Sequence, residues 1–124
     1  IRLTEPLDYF DLVLALRKSS LVLTDSGGIQ EEAPTFGVPV LVLRDATERP
    51  EGLEAGVAVL VGTSRERILT RARSALAERG RVQARGDSAF PNPYGDGRAG
   101  ERIADIVVSH LLGTPRTTTD WGGV

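Results

Sequence analysis

The sequence predicts an α/β domain organised around a parallel, doubly wound sheet, and three observations carry that reading. Apolar runs of strand length at residues 21–24, 37–43 and 57–61 alternate with stretches of helical period. Strands that alternate with helices pair in parallel through right-handed crossovers. The first run ends in Asp25-Ser26-Gly27-Gly28, with a helix to follow, and the second ends in the charged loop 44–51. Ligands of open α/β sheets bind outside the carboxyl ends of the strands, so these two runs deliver a serine-glycine-glycine turn and an arginine-bearing loop to one rim.

Each element has its own signal. Residues 1–6 read as the end of a strand and a loop, which gives the expectation that the chain begins within a domain. Tyr9, Leu12, Val13 and Leu16 recur at helical spacing and predict a short amphipathic helix running into the first strand. A helix is expected over 29–36, ended or kinked by Pro34 and closed by Gly37. Pro50 opens a short helix that stops at Gly56, and 57–61 form the third strand. Ser64 is the expected N-cap of a long helix with Ile68, Ala72, Ala75 and Leu76 on its inner face. Residues 79–88, polar and punctuated by glycine, read as a surface connection. The turn-rich 92–97 leads into a last helix with Ile103, Ile106, Val107 and Leu111 on one side, and the Thr-, Gly- and Pro-rich tail from 113 is expected to be disordered.

Composition narrows the function classes. At 124 residues and 40% apolar side chains, the chain has enough material for a single core. Seventeen acidic against fifteen basic residues, with no basic stripe, argue against nucleic acid as a partner. The chain has no cysteine and one histidine, His110, so neither a disulfide framework nor a metal-ligand cluster is expected. No apolar run is long enough for a membrane span, and neither a signal peptide nor a location other than the cytoplasm is expected.

The stretch 23–34 carries the chemistry. Gly27 and Gly28 remove the Cβ atoms that would keep an anion from the backbone amides, the helix start presents unpaired N–H groups, and Ser26 adds a hydroxyl. Glu31 and Glu32 stand too far along to cap those amides. A carboxylate beside a diphosphate would be repelled unless it met hydroxyls, and a ribose offers them. The same residues also suit a plain βα turn with a serine N-cap. No G-K-[ST] follows the glycines, which excludes a Walker-type site.

Four segments in register, LTDSGGIQEEAP, GVPVLVLRDATERPEG, AGVAVLVGT and NPYGDGRA, resemble the carboxyl-terminal part of bacterial UDP-N-acetylglucosamine 2-epimerases of the non-hydrolysing type, over about residues 5–112. The resemblance implies a Rossmann-like domain over 1–112, the C-terminal half of a two-domain GT-B-type fold, whose missing N-terminal domain would face it across a cleft. It also implies a homodimer when complete, a place in cell-surface polysaccharide synthesis, and no cofactor.

Residue by residue, the resemblance puts Ser26 and Gly28 on the UDP diphosphate, with Gly27 serving the phosphate or the turn. It places Glu32 on the ribose hydroxyls and Arg49 at the nucleotide as a directional, charge-assisted donor. Arg44 is expected to be structural. Leu12 stands where relatives can carry an aromatic residue near the uracil, and 92–97 are expected to organise the last crossover. The implied reaction interconverts UDP-N-acetylglucosamine and UDP-N-acetylmannosamine by elimination and re-addition of UDP. The family's acid and base groups lie upstream of these segments, so no catalytic residue is assigned here and the chain alone is expected to be inactive. Three alternatives stay open: a hydrolysing 2-epimerase, half of a GT-B glycosyltransferase, and a non-catalytic nucleotide-binding module.

Overall fold

The computed structural model describes residues 1–85 and 92–122. Three strands, β1 (Val22–Thr24), β2 (Val40–Val42) and β3 (Ala58–Leu60), form a parallel sheet in the order β1-β2-β3. Val22 lies opposite Val40, and Val40 opposite Ala58. Every residue of central β2 is buried, whereas Leu23 of β1 is 45% exposed, so the core is centred on the middle strand. Continuous apolar runs suit strands covered on both faces, which is how this chain uses its β-branched residues.

Helix α1 (Tyr9–Lys18) is capped by Asp8, whose carboxylate accepts from the Asp11 amide at 2.9 Å, and it turns Leu16 inward. Helix α2 (Gly27–Glu32) continues as a 3₁₀ turn over Ala33–Phe36. Leu16, Ala33, Val38, Val40, Val42 and Ala58 form the core cluster, with Leu12, Ile29, Phe36 and Leu53 packed on it. Helices α3 (Pro50–Glu54), α4 (Arg65–Arg85) and α5 (Ala99–Leu112) complete the order.

The α/β class and parallel pairing agree with the sequence reading, and four local expectations need correction. Residues 1–6 form no strand. The helix expected from Ile29 starts at Gly27, and it tightens at Ala33 because Pro34 has no N–H to give to an i−4 carbonyl. Gly37 closes the turn at φ 62°, a conformation that favours glycine. Residues 79–85, expected as a connection, extend α4, because the alanine, arginine and glutamine around Gly80 outweigh that residue's cost of about 1 kcal/mol; the remainder of that expected connection, 86–88, lies outside the described residues. Arg79 ties α4 to the body by donating from Nη1 to the Gly37 carbonyl at 2.9 Å.

Helix α5 forms as expected, and the fourth case is the tail that follows it. The helix's apolar stripe exists, yet Ile103, Ile106, Val107 and Leu111 are 45–73% exposed. Its half-buried positions are instead Arg102, Asp105 and Ser109, over which the tail runs back. Asp105 accepts from the amides of Thr117 and Thr118 at 2.9 and 2.7 Å and from both their hydroxyls. Ser109 donates to the Thr114 carbonyl at 2.6 Å, and Arg102 to that of Thr119 at 2.9 Å. The tail, expected to be disordered, carries no regular element from 113 to 122 and is fastened along α5 from 114 to 119; residues 123 and 124 of that expectation lie outside the described residues.

Candidate functional site

Ser26 sits where β1 becomes α2, in extended backbone (φ −76°, ψ 127°). Its amide donates to Thr24 Oγ1 at 3.0 Å, and its own Oγ accepts from the Ile29 amide at 3.5 Å. The hydroxyl is therefore an N-cap whose proton stays available. The first helical bond runs from the Gln30 amide to the Ser26 carbonyl at 3.2 Å, so the amides of Gly27 and Gly28 have no partner within the helix.

Neither Gly27 nor Gly28 has a positive φ, so the turn itself does not require them. Space does. A Cβ on Gly28 would lie 3.9 Å from Ser26 Oγ and 4.0 Å from Glu32 Oε1, and one on Gly27 would lie 3.9 Å from Arg49 Nη2. The two glycines thus keep open a hollow bounded by a hydroxyl, a carboxylate and a guanidinium.

Glu32 Oε2 is buried and has no hydrogen-bond partner among the described residues. Beside it a shallow groove of about 100 Å³ is lined by Tyr9, Val13, Glu32, Thr35 and Phe36. Leu12, on the same helix, packs on the core instead.

Arg49 reaches the rim from the loop after β2. Its Nε forms an ion pair with Glu31 Oε1, its Nη1 donates to the Glu48 carbonyl at 3.1 Å, and its Nη2 lies over Gly27. The hydrogen bond that the guanidinium donates to Glu31, and then that carboxylate's charge, raise its pKa, so Arg49 is a permanent cation. Its backbone amide donates to Thr47 Oγ1 at 3.1 Å, and the Thr47 hydroxyl donates in turn to Gln30 Oε1 at 2.7 Å. Arg44 contributes its carbonyl to the Gly62 amide at 3.1 Å, and neither Arg44 nor Glu48 forms an ion pair among the described residues.

The 92–97 segment touches the 3₁₀ turn at Thr35 and α3 at Gly52. Asn92 donates to Thr35 Oγ1 at 3.1 Å and accepts from the Tyr94 amide at 3.1 Å. The Tyr94 ring leans on Gly52 of α3, where its hydroxyl is buried without a well-formed partner and burial raises its pKa. Asp96 accepts from the Arg98 amide and both terminal nitrogens of Arg102. His110 stands exposed in the last turn of α5. Among the described residues no three ligand-type side chains converge on a metal position, and no helix is long and apolar enough to cross a membrane.

Ser26, Gly27, Gly28, Glu32 and Arg49, separated by up to 23 positions, are thus brought to one hollow. Sequence reasoning missed Gln30, Thr47 and the pairing role of Glu31. The available signal was Gln30's place three residues before Ala33, on the inward face of α2; at 1% exposure it needs a partner.

Known proteins give a consistent picture. The model of the family described as UDP-N-acetylglucosamine 2-epimerase matches residues 1–108. The chain is 48% identical over 110 residues to UDP-N-acetylglucosamine 2-epimerase of Escherichia coli, covering 89% of this chain and 29% of the relative. The corresponding enzyme of Bacillus subtilis is 47% identical over 110 residues, covering 89% and 28%. The crystal structure of UDP-GlcNAc 2-epimerase from Neisseria meningitidis bound to UDP-GlcNAc superposes with a TM-score of 0.70 at 43% identity, covering 90% of this chain and 29% of that one. The chain therefore spans a little under a third of the length of these relatives.

Proposed function

Because the chain belongs to the UDP-N-acetylglucosamine 2-epimerase family, we propose that it forms the UDP-binding portion of an enzyme interconverting UDP-N-acetylglucosamine and UDP-N-acetylmannosamine. The observation that carries this reading is the hollow over Gly27 and Gly28, with the Arg49 cation on one side and, on the other, the Glu32 carboxylate, whose Oε1 faces Gly28 and whose Oε2 is buried without a partner among the described residues. A cation and free amides suit a diphosphate, while a desolvated carboxylate oxygen needs donors that a ribose supplies. The adjoining groove, apolar apart from Glu32 and Thr35, has the character of a surface for the base.

In the proposed reaction a base removes the proton from carbon 2 as the bond from carbon 1 to UDP breaks, leaving 2-acetamidoglucal and UDP. UDP then re-forms its bond at carbon 1 while a proton is delivered to carbon 2 from the opposite face. Charge grows on the diphosphate as it departs, and donors fixed in advance around it stabilise that state more than the intact substrate. Ser26, the Gly27 and Gly28 amides and Arg49 are those donors. Glu31 is committed to Arg49, and Glu32 is assigned to the ribose, which leaves this hollow without a free acid-base pair for carbon 2. The chain by itself is therefore assigned binding without turnover. Its place in the full enzyme, beside a second domain and in a homodimer, belongs to the same proposal.

The test is a proton NMR time course of UDP-N-acetylglucosamine in deuterium oxide with this chain. Broadened or shifted nucleotide signals with no epimer and no exchange at carbon 2 are expected. Unperturbed nucleotide signals at millimolar ligand would overturn the binding assignment. Deuterium at carbon 2 would overturn the assignment of the acid-base groups elsewhere.

A further inference from the structure

We infer that Thr47 and Gln30 are positioning residues that set Arg49 over the glycines, an inference that rests on reading the hollow as a diphosphate site. In the loop 44–49 only Thr47 and Arg49 are half-buried, and the other four residues are exposed. Both inward residues are held by neighbours on α2. Gln30, 1% exposed, takes the Thr47 hydroxyl at 2.7 Å, and the next residue, Glu31, takes the Arg49 guanidinium.

The Thr47 hydroxyl is used in both senses. It gives its proton to the buried Gln30 carbonyl and receives the Arg49 amide at 3.1 Å, which a hydroxyl can do and a methyl cannot. The buried amide oxygen makes the contact costly to break, because losing its only donor among the described residues leaves it desolvated and unpaired. Thr47 thereby pins the backbone two bonds before the side chain that faces Gly27. Glu31 alone would hold the guanidinium but not the height of the loop, because an ion pair with both side chains over a third exposed is weakly directional. The effect on ligand runs through Arg49.

The experiment is calorimetric titration of this chain and its variants with UDP, with uridine followed by NMR shifts as a phosphate-free control. Thr47→Val, close in shape, should weaken UDP binding roughly fivefold to tenfold, the scale of one or two lost hydrogen bonds, and leave uridine unchanged. Thr47→Ser should restore UDP binding. In an Arg49→Ala background, Thr47→Val should have no further effect, since residues acting through one group are non-additive. A full Thr47→Val loss persisting in that background, or an equal loss for uridine, would overturn the positioning role, as would undiminished UDP binding by Thr47→Val. If Thr47→Val folds poorly, as circular dichroism would reveal, the Thr47→Ser and Thr47→Ala pair decides by the same Arg49→Ala comparison. Failure of the unsubstituted chain to bind UDP would overturn the diphosphate reading and this inference with it.

Discussion

Glu32 pays for its position in the ligand-free fold. A carboxylate oxygen shut off from water without a donor destabilises the fold, and it is retained where a ligand supplies the donor. Glu32→Ala should therefore act in opposite directions on two readings. UDP affinity should fall by about 1–3 kcal/mol, while stability to urea should rise by about 0.5–1 kcal/mol. Titration calorimetry and urea melts on the same preparations check this, and a loss on both would mark Glu32 as structural. The members of this cluster were legible by type: a serine cap, two glycines, a carboxylate one turn on and an arginine after the next strand. What holds Arg49 was not legible, because the Gln30 and Thr47 contact spans 17 positions and exists only once two crossovers lie side by side.

Helix α5 shows what periodicity can and cannot say. Its apolar stripe was evident, but a stripe marks a face fit for burial, and here the face in use is the polar one. The threonines of the tail resembled disordered sequence by composition, and only the Asp105 clasp distinguishes them. Bonds from Thr118, backbone first and then hydroxyl, with those from Thr117, lower the Asp105 pKa from 3.8 to about 2. A depressed carboxylate contributes while ionised, so the clasp is at full strength above about pH 4 and is lost as pH falls through about 2. Trp121, the only tryptophan, follows Thr118 by three positions and serves as the probe. Its fluorescence should change between pH 4 and 2, and Asp105→Asn should show the acid signal already at pH 7. Identical emission from the variant and the parent at pH 7 would dismiss the clasp.

Across the whole molecule, the strand and helix alternation was readable because three apolar runs are separated by strong punctuation at Gly37, Pro50 and Gly56. The joints between distant segments were not. The contact of Tyr94 with Gly52 joins positions 42 apart, and nothing local to either predicts it. A Cβ on Gly52 would stand 2.5 Å from the Tyr94 hydroxyl and 3.3 Å from the Ala58 methyl. Gly52→Ala should cost about 1–3 kcal/mol in chemical denaturation. Tyr94→Phe should be neutral or stabilising, since it deletes a buried, poorly paired hydroxyl, and should recover part of the loss when combined with Gly52→Ala. If the double variant is no better than Gly52→Ala alone, the strain lies elsewhere.

The sheet has a constant pitch: each strand residue faces the one eighteen positions later, from Val22 to Val40 to Ala58. Glu31 and Arg49, which pair at the rim, stand at that same interval. The crossover length is therefore a unit of address as well as of architecture. The segment from Glu31 to Val40 is common to both intervals, so shortening it strains the strand register and the rim pair together, and length there should be far less free to drift than the identity of its exposed side chains.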